Sequence, residues 1–316
     1  QSNFPEKFDA ILPYVDKETD PVAYGNYVKL PGVWVLIGGM WIAHFYYWGT
    51  NQYITQRALG GKSLDEAQKG LMFAGFLKIF MPIVVVLPGL IAVALEGNVI
   101  ESLGGDRSKA YPSMLSLLPN GILGLTFAAL VAAIVSSLAS LTNSLSTIFT
   151  MDIYKNYTKV KDTELVNVGR FAGTSGLILS IIVAPIFLGS LDSAFQYVQE
   201  YMGLFSPVIL FVFLSAIFFK KSSSKSVLAG SLVALVVGVI MKLYVAQTDQ
   251  SLIEPFMHQM AISFGIAFLV SFALSDKSDN AKVFKLTYED FKTSKLFNYG
   301  SVTILLILSG IYGYYW

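Results

Sequence analysis

Residues 121–150 read GILGLTFAALVAAIVSSLASLTNSLSTIFT, thirty consecutive positions without a charged side chain. As a helix this run is about 45 Å long, and about 20 residues suffice to cross the roughly 30 Å hydrocarbon core of a bilayer. Seven more apolar runs surround it, at 32–55, 71–95, 167–188, 195–219, 226–246, 256–275 and 296–316. Over the whole chain 54% of residues are hydrophobic and 14% charged, where a soluble domain carries about a quarter charged. The expected fold class is therefore all-α, a polytopic membrane protein with eight transmembrane helices in a lipid bilayer. Glycines and prolines inside several runs fit this, because neighbouring helices in a bilayer satisfy freed backbone groups.

The basic residues alternate from loop to loop. Arg57, Lys62 and Lys69 follow the first run; Lys155, Lys159, Lys161 and Arg170 follow the third. Lys220, Lys221 and Lys225 follow the fifth, and Lys277, Lys282, Lys285, Lys292 and Lys295 the seventh. These fifteen face five on the other side: Lys7, Lys17, Lys29, Arg107 and Lys109. The positive-inside rule assigns the first group to the cytoplasm. Both chain ends then lie outside, and the expected location is the cytoplasmic (inner) membrane, multi-pass. Lys242, near the outer end of its run, is expected to snorkel. Lys78 sits deeper.

Several functions are excluded or disfavoured. A net charge of +1 offers no basic face for nucleic acid. The chain has no Cys, so disulfide and thiolate chemistry are absent from it. Two His, His44 and His258, are too few for a His-rich metal site, and no P-loop is present. The chain opens without Met on a polar stretch holding Pro5, Pro13 and Pro21. Residues 1–30 read as an extracellular or periplasmic loop entered mid-protein, with an N-terminal half of the same polypeptide expected as a partner.

Polar residues inside apolar runs are costly in hydrocarbon and mark functional candidates. Four clusters stand out. In the first run, His44 to Gln52 mixes aromatics with hydrogen-bonding groups, which suits the apolar face and hydroxyl rim of a sugar. Gly49 offers a helix break there, and an interfacial aromatic belt is the alternative. Lys78 needs an acceptor, either a substrate oxygen or a carboxylate elsewhere. Ser136, Ser137, Ser140, Thr142, Asn143 and Ser144 supply oxygens for a hard cation such as sodium. They equally suit close helix packing, with hydroxyls bonded to carbonyls one turn back. Gln196, Gln199 and Glu200 share one helix face, lining a vestibule or forming a solvated helix end.

Three stretches carry a resemblance: YYWGTNQYITQRAL (46–59), AAIVSSLASLTNSLSTIFTMDIYK (132–155) and AFQYVQEY (194–201). They resemble the solute:sodium symporter family, in its sodium/glucose (galactose) cotransporter branch. The resemblance implies a LeuT-type inverted-repeat fold. Residues 31–219 would be the second five-helix repeat and 220–316 three peripheral helices, with a cytoplasmic loop near 276–295. It implies sodium ligands at the Ala133 carbonyl and the Ser136 and Ser137 hydroxyls, the remaining ligands coming from the expected N-terminal half. It implies sugar contacts from His44, Tyr47, Trp48, Lys78 and Gln199, with Phe195 as an outer cap. Two positions depart from the pattern. His44 stands where the bacterial galactose branch has Asn, which bears on the sugar. Ala139 stands where members with a second sodium carry a hydroxyl, which favours one sodium per sugar.

The implied function is sodium-coupled secondary active symport of a galactose- or glucose-like sugar by alternating access. Sodium is transported, and no enzyme chemistry is expected. The alternatives are a sodium symporter for another polar solute, such as a polyol or sialic acid, or a transport-dead sensor with the same fold. An intramembrane enzyme would need an acid–base or metal pair that Lys78 and Glu200 do not make.

Overall fold

The computed structural model describes residues 18–29, 35, 38–95, 109–158, 161–188, 194–219, 221–248, 253–275 and 287–315. The residues before Glu18, most of the 276–295 loop, and Arg107, Lys159 and Lys220 lie outside the described residues. All regular structure among the described residues is helical. In chain order the helices are α1 (Pro21–Lys29), α2 (Gly39–Phe45), α3 (Gln52–Leu59), α4 (Leu64–Lys78), α5 (Met81–Val85), α6 (Leu87–Ala94) and α7 (Ala110–Leu115). Then come α8 (Asn120–Thr147), α9 (Asp162–Leu188), α10 (Ala194–Phe218), α11 (Ser224–Val245), α12 (Phe256–Ala273) and α13 (Lys295–Tyr315). Part of the expected opening loop is thus helical. Pro21 occupies the first position of α1, where its missing N–H costs no hydrogen bond.

Six of the eight expected spans are single helices long and apolar enough to cross a membrane, Asn120–Tyr157 among them. The other two are broken. Leu64–Lys78 and Met81–Ala92 form one bent pair, turned by 46°. Pro82 is the cause: it has no N–H to give the Lys78 carbonyl, and its ring crowds that carbonyl. The backbone tightens ahead of it, with the Ile79 and Phe80 N–H groups donating three residues back, to Phe76 O at 3.2 Å and Leu77 O at 3.1 Å. The first span breaks at Asn51, described below.

The chain forms two compact units, one drawn from Gln1–Thr55 with Val198–Trp316 and the other from Gln56–Tyr197. In the first, α11 and α12 pack along two ladders of small residues. Ser226, Gly230, Ala234 and Gly238 recur every fourth position on α11; Ser263, Ala267 and Ser271 do so on α12. A side chain at Gly230 would overlap the Ala267 carbonyl oxygen, and one at Gly238 would meet Ser263 Oγ at 3.3 Å. Phe211 of α10 packs with Ala234 and Ala267, while Ile42 of α2, Leu210 and Met260 form a second buried cluster. Gly39 lets α2 approach the Met257 backbone. Ser223 and Ser226 cap α11 reciprocally, which starts that helix just before the expected 226.

In the second unit α8 packs on α9 through the same device. A side chain at Gly169 would lie 2.7 Å from Ser146 Oγ, and one at Gly173 2.9 Å from Thr142 Cγ2. Ser146 Oγ donates to Gly169 O at 2.8 Å. Throughout, small polar residues such as Ser226, Ser263 and Ser271 are buried while Leu232, Val236 and Ile240 stay exposed. This inverts a water-soluble core and fits helices whose outer faces meet lipid.

Gly230→Val in the full-length protein is expected to lower the melting temperature in detergent by several degrees, since forcing these two helices apart costs about 1–3 kcal/mol. Gly265→Ala, where an added Cβ meets nothing within 4 Å, should leave it unchanged or slightly raised. Thermal unfolding of both variants checks this; equal melting temperatures would remove the ladder as the α11–α12 contact.

Candidate functional site

The aromatic cluster of the first span sits on a helix interruption. From α2 the chain passes into a π-helical stretch, Tyr46–Thr50, and then into extended backbone at Asn51 (φ −78°, ψ 112°). The break therefore falls at Asn51, not at Gly49, whose backbone stays within the helical stretch. Asn51 makes the break by capturing donors. Its N–H donates to Tyr46 O at 3.0 Å, and its Oδ1 accepts from the Tyr53 N–H at 3.1 Å. Its carbonyl accepts from the Ile54 and Thr55 N–H groups, both at 3.0 Å. Tyr53 and Ile54 would otherwise serve the Gly49 and Thr50 carbonyls, one turn back. Those two carbonyls thus lose their helical donors. The Tyr47 and Trp48 rings meet edge to face, 5.2 Å between centroids. His44 lies just ahead on α2, exposed.

The expected sodium residues lie within one turn of α8, mid-helix. Hydroxyls along this helix mostly bond back one turn: Thr126 to Ile122 O, Ser140 to Ser136 O, Thr142 to Leu138 O, Ser144 to Ser140 O and Thr147 to Asn143 O. The Ser136 and Ser137 hydroxyls differ. Neither makes a hydrogen bond among the described residues, and Ser136 and Ala133 are exposed. Thr142 and Ser146 meet the α9 glycines, as close helix packing requires.

Lys78 ends α4 at the Pro82 bend, with its side chain exposed. Phe195 opens α10, 77% exposed, and Gln199 follows one turn on, also exposed. Glu200, on the same face, pairs with Lys242 of α11 at 2.9 Å, and the Lys242 ammonium lies 4.7 Å from the Tyr201 ring centre. Lys242 therefore does not simply snorkel; a carboxylate and an aromatic face hold it. The structure keeps Ala133, Ser136, Ser137, Lys78 and Phe195 in one compact unit and His44, Tyr47, Trp48 and Gln199 in the other.

Comparison with known proteins decides the family. A model of the sodium:solute symporter family matches residues 3–270. The chain belongs to the sodium:solute symporter family. Among relatives of this chain, the sodium/glucose cotransporter of Vibrio parahaemolyticus is 44% identical over 309 residues, 92% of this chain and 56% of that protein. Sodium/glucose cotransporter 4 of Danio rerio is 35% identical over 236 residues, 70% of this chain and 35% of that protein. Sodium/myo-inositol cotransporter 2 of Mus musculus is 33% identical over 225 residues, 66% of this chain and 33% of that protein. The chain spans about half the length of the Vibrio relative and about a third of the animal ones. The relatives are transporters by name, not enzymes.

Sequence reading of this symporter chain missed one polar network. Gln56 Nε2 donates to Ser140 O at 3.1 Å while Gln56 Oε1 accepts from Asn143 Nδ2 at 2.9 Å. Arg57 Nη2 donates to Ser140 Oγ at 2.6 Å. The end of α3 is thereby tied to α8 one turn beyond Ser136. The signal was present as Gln56 and Arg57 adjacent just past the first apolar run, but Arg57 was counted with the loop and Gln56 was not singled out. Gln56→Ala is expected to cost about 1–2 kcal/mol through two lost hydrogen bonds. A double-mutant cycle with Asn143→Ala should show coupling of at least about 0.5 kcal/mol. Additive melting shifts in the full-length protein would show that the two side chains do not interact.

Proposed function

We propose that this chain is part of a transporter that couples inward sodium flow to uptake of a polar solute, a galactose- or glucose-like sugar, at the cytoplasmic membrane. The observation that carries the reading is the pair of hydroxyls at Ser136 and Ser137 that make no hydrogen bond among the described residues, one turn before a network that pins α8. Sodium is a hard cation that takes several oxygens, and helices interrupted within the membrane supply carbonyls for them. The Ser136 and Ser137 hydroxyls and the Ala133 carbonyl are the proposed ligands from α8, with the rest from an N-terminal half of the same polypeptide. Residues 31–219 act as the second repeat of the transport core and 220–316 as peripheral helices. With Ala139 carrying no hydroxyl, the proposed stoichiometry is one sodium per sugar.

The solute lies against the interruption at Tyr46–Asn51. Tyr47 and Trp48 offer ring faces, His44 a donor and acceptor, Lys78 and Gln199 hydrogen bonds to hydroxyls, and Phe195 an outer cap. Alternating access moves the site from one membrane face to the other. The driving force is the sodium gradient plus about 2.3 kcal/mol per charge per 100 mV of membrane potential. A cyclic polyol is the second reading, because the relatives include sodium/myo-inositol cotransporters.

The test is uptake by the full-length protein in proteoliposomes with an imposed sodium gradient. Galactose, glucose and myo-inositol compete as substrates. Ser137→Ala is expected to raise the half-saturating sodium concentration at least about tenfold with the protein still folded. Uptake of every solute without sodium dependence would sink the symporter reading, and an unchanged sodium response in Ser137→Ala would sink the ion site.

A further inference from the structure

One pocket in the first unit shares no residue with the proposed transport site. It has a volume of about 310 Å³ between the ends of α10 and α12, walled by Phe211, Phe218, Phe219, Phe268 and Phe272. The rings are held in a set: Phe219 and Phe268 lie edge to face at 4.9 Å, and Phe268 stacks parallel to Phe272 at 6.5 Å. The polar residues of the pocket are Lys221 and the serines 215, 222, 271 and 275. At the mouth, Ser222 Oγ donates to Phe219 O and Ser275 Oγ to Phe272 O, each at 2.7 Å. Their protons are committed to the backbone. The Lys221 ammonium has no partner among the described residues and is the remaining donor at the mouth.

We propose that this pocket binds one anionic phospholipid, the headgroup-proximal half of one acyl chain among the five phenylalanines and its phosphate on Lys221. Three observations select this occupant. The pocket runs about 10 Å along α10, from Phe211 to Phe218, with Lys221 in the turn beyond the helix end, so it has an aromatic wall and one cationic end. A transmembrane helix is 10–12 Å wide and does not enter a cavity of about 310 Å³; a flexible hydrocarbon chain does. Lys221 belongs to a loop on the face that carries the excess of Lys and Arg, the side where anionic lipids meet basic residues. A zwitterionic headgroup carries its own ammonium beside the phosphate and so has no net charge to answer Lys221.

The experiment is native mass spectrometry of the full-length protein with defined dioleoyl-phosphatidylglycerol or dioleoyl-phosphatidylcholine. The wild type is expected to retain one phosphatidylglycerol in preference to phosphatidylcholine. Lys221→Gln should weaken phosphatidylglycerol retention about fivefold, the effect of one surface charge. Lys225→Gln, outside the pocket lining, should weaken it less. Ser275→Trp, with Ser222→Trp as a second plug if the first does not fold, should abolish retention while sodium-dependent uptake persists. Equal retention of the two lipids, equal effects of Lys221→Gln and Lys225→Gln, or retention that survives a folded plug would each overturn the proposal.

Discussion

Helices in a bilayer gain nothing by hiding leucine from leucine-like lipid, so they must be held by backbone approach and hydrogen bonds. In this chain small residues meet that constraint. The α11 ladder of Ser226, Gly230, Ala234 and Gly238 lies against Ser263, Ala267 and Ser271 of α12. Gly169 and Gly173 of α9 accept Ser146 and Thr142 of α8. Each contact works because no side chain intervenes. The bulky residues are left to face outward.

The same environment makes every interruption of a helix consequential, because freed carbonyls find no water in hydrocarbon. The two interruptions arise differently. At Lys78–Pro82 an imino acid removes a donor and bends the span. At Tyr46–Asn51 a side-chain amide does the work, drawing N–H groups away from the Gly49 and Thr50 carbonyls. A π-helical stretch widens the helix just ahead of it, a local geometry that recurs at functional sites. On α8, the Ser136 and Ser137 hydroxyls make no hydrogen bond among the described residues, while their neighbours on the same helix bond one turn back.

Much of the architecture was legible in the residues. Thirty uncharged positions in 121–150 and the loop-by-loop alternation of Lys and Arg identify spans, since charge in hydrocarbon is expensive whatever the neighbours. Helix ends followed within a few residues for α10 to α13. The motif at 132–155 pointed to the family. The site was less legible. Gly49 looked like the helix breaker because glycine is permissive in general; Asn51 was overlooked because its effect depends on a side-chain hydrogen bond that a residue type does not announce. Arg57 was counted with the loop and Gln56 was passed over because their partners, Ser140 and Asn143, are more than eighty positions away.

Sequence alone thus determined the all-helical membrane class, the approximate spans and the family, because these follow from hydropathy along one dimension and from long contiguous motifs. Tertiary structure decided which serine hydroxyls donate to the backbone and which, among the described residues, do not. It also decided that Lys242 answers Glu200, and that five phenylalanines from two helix ends close around a pocket beside Lys221. Those outcomes depend on distances between residues far apart in the chain. Composition and periodicity carry no information about such distances.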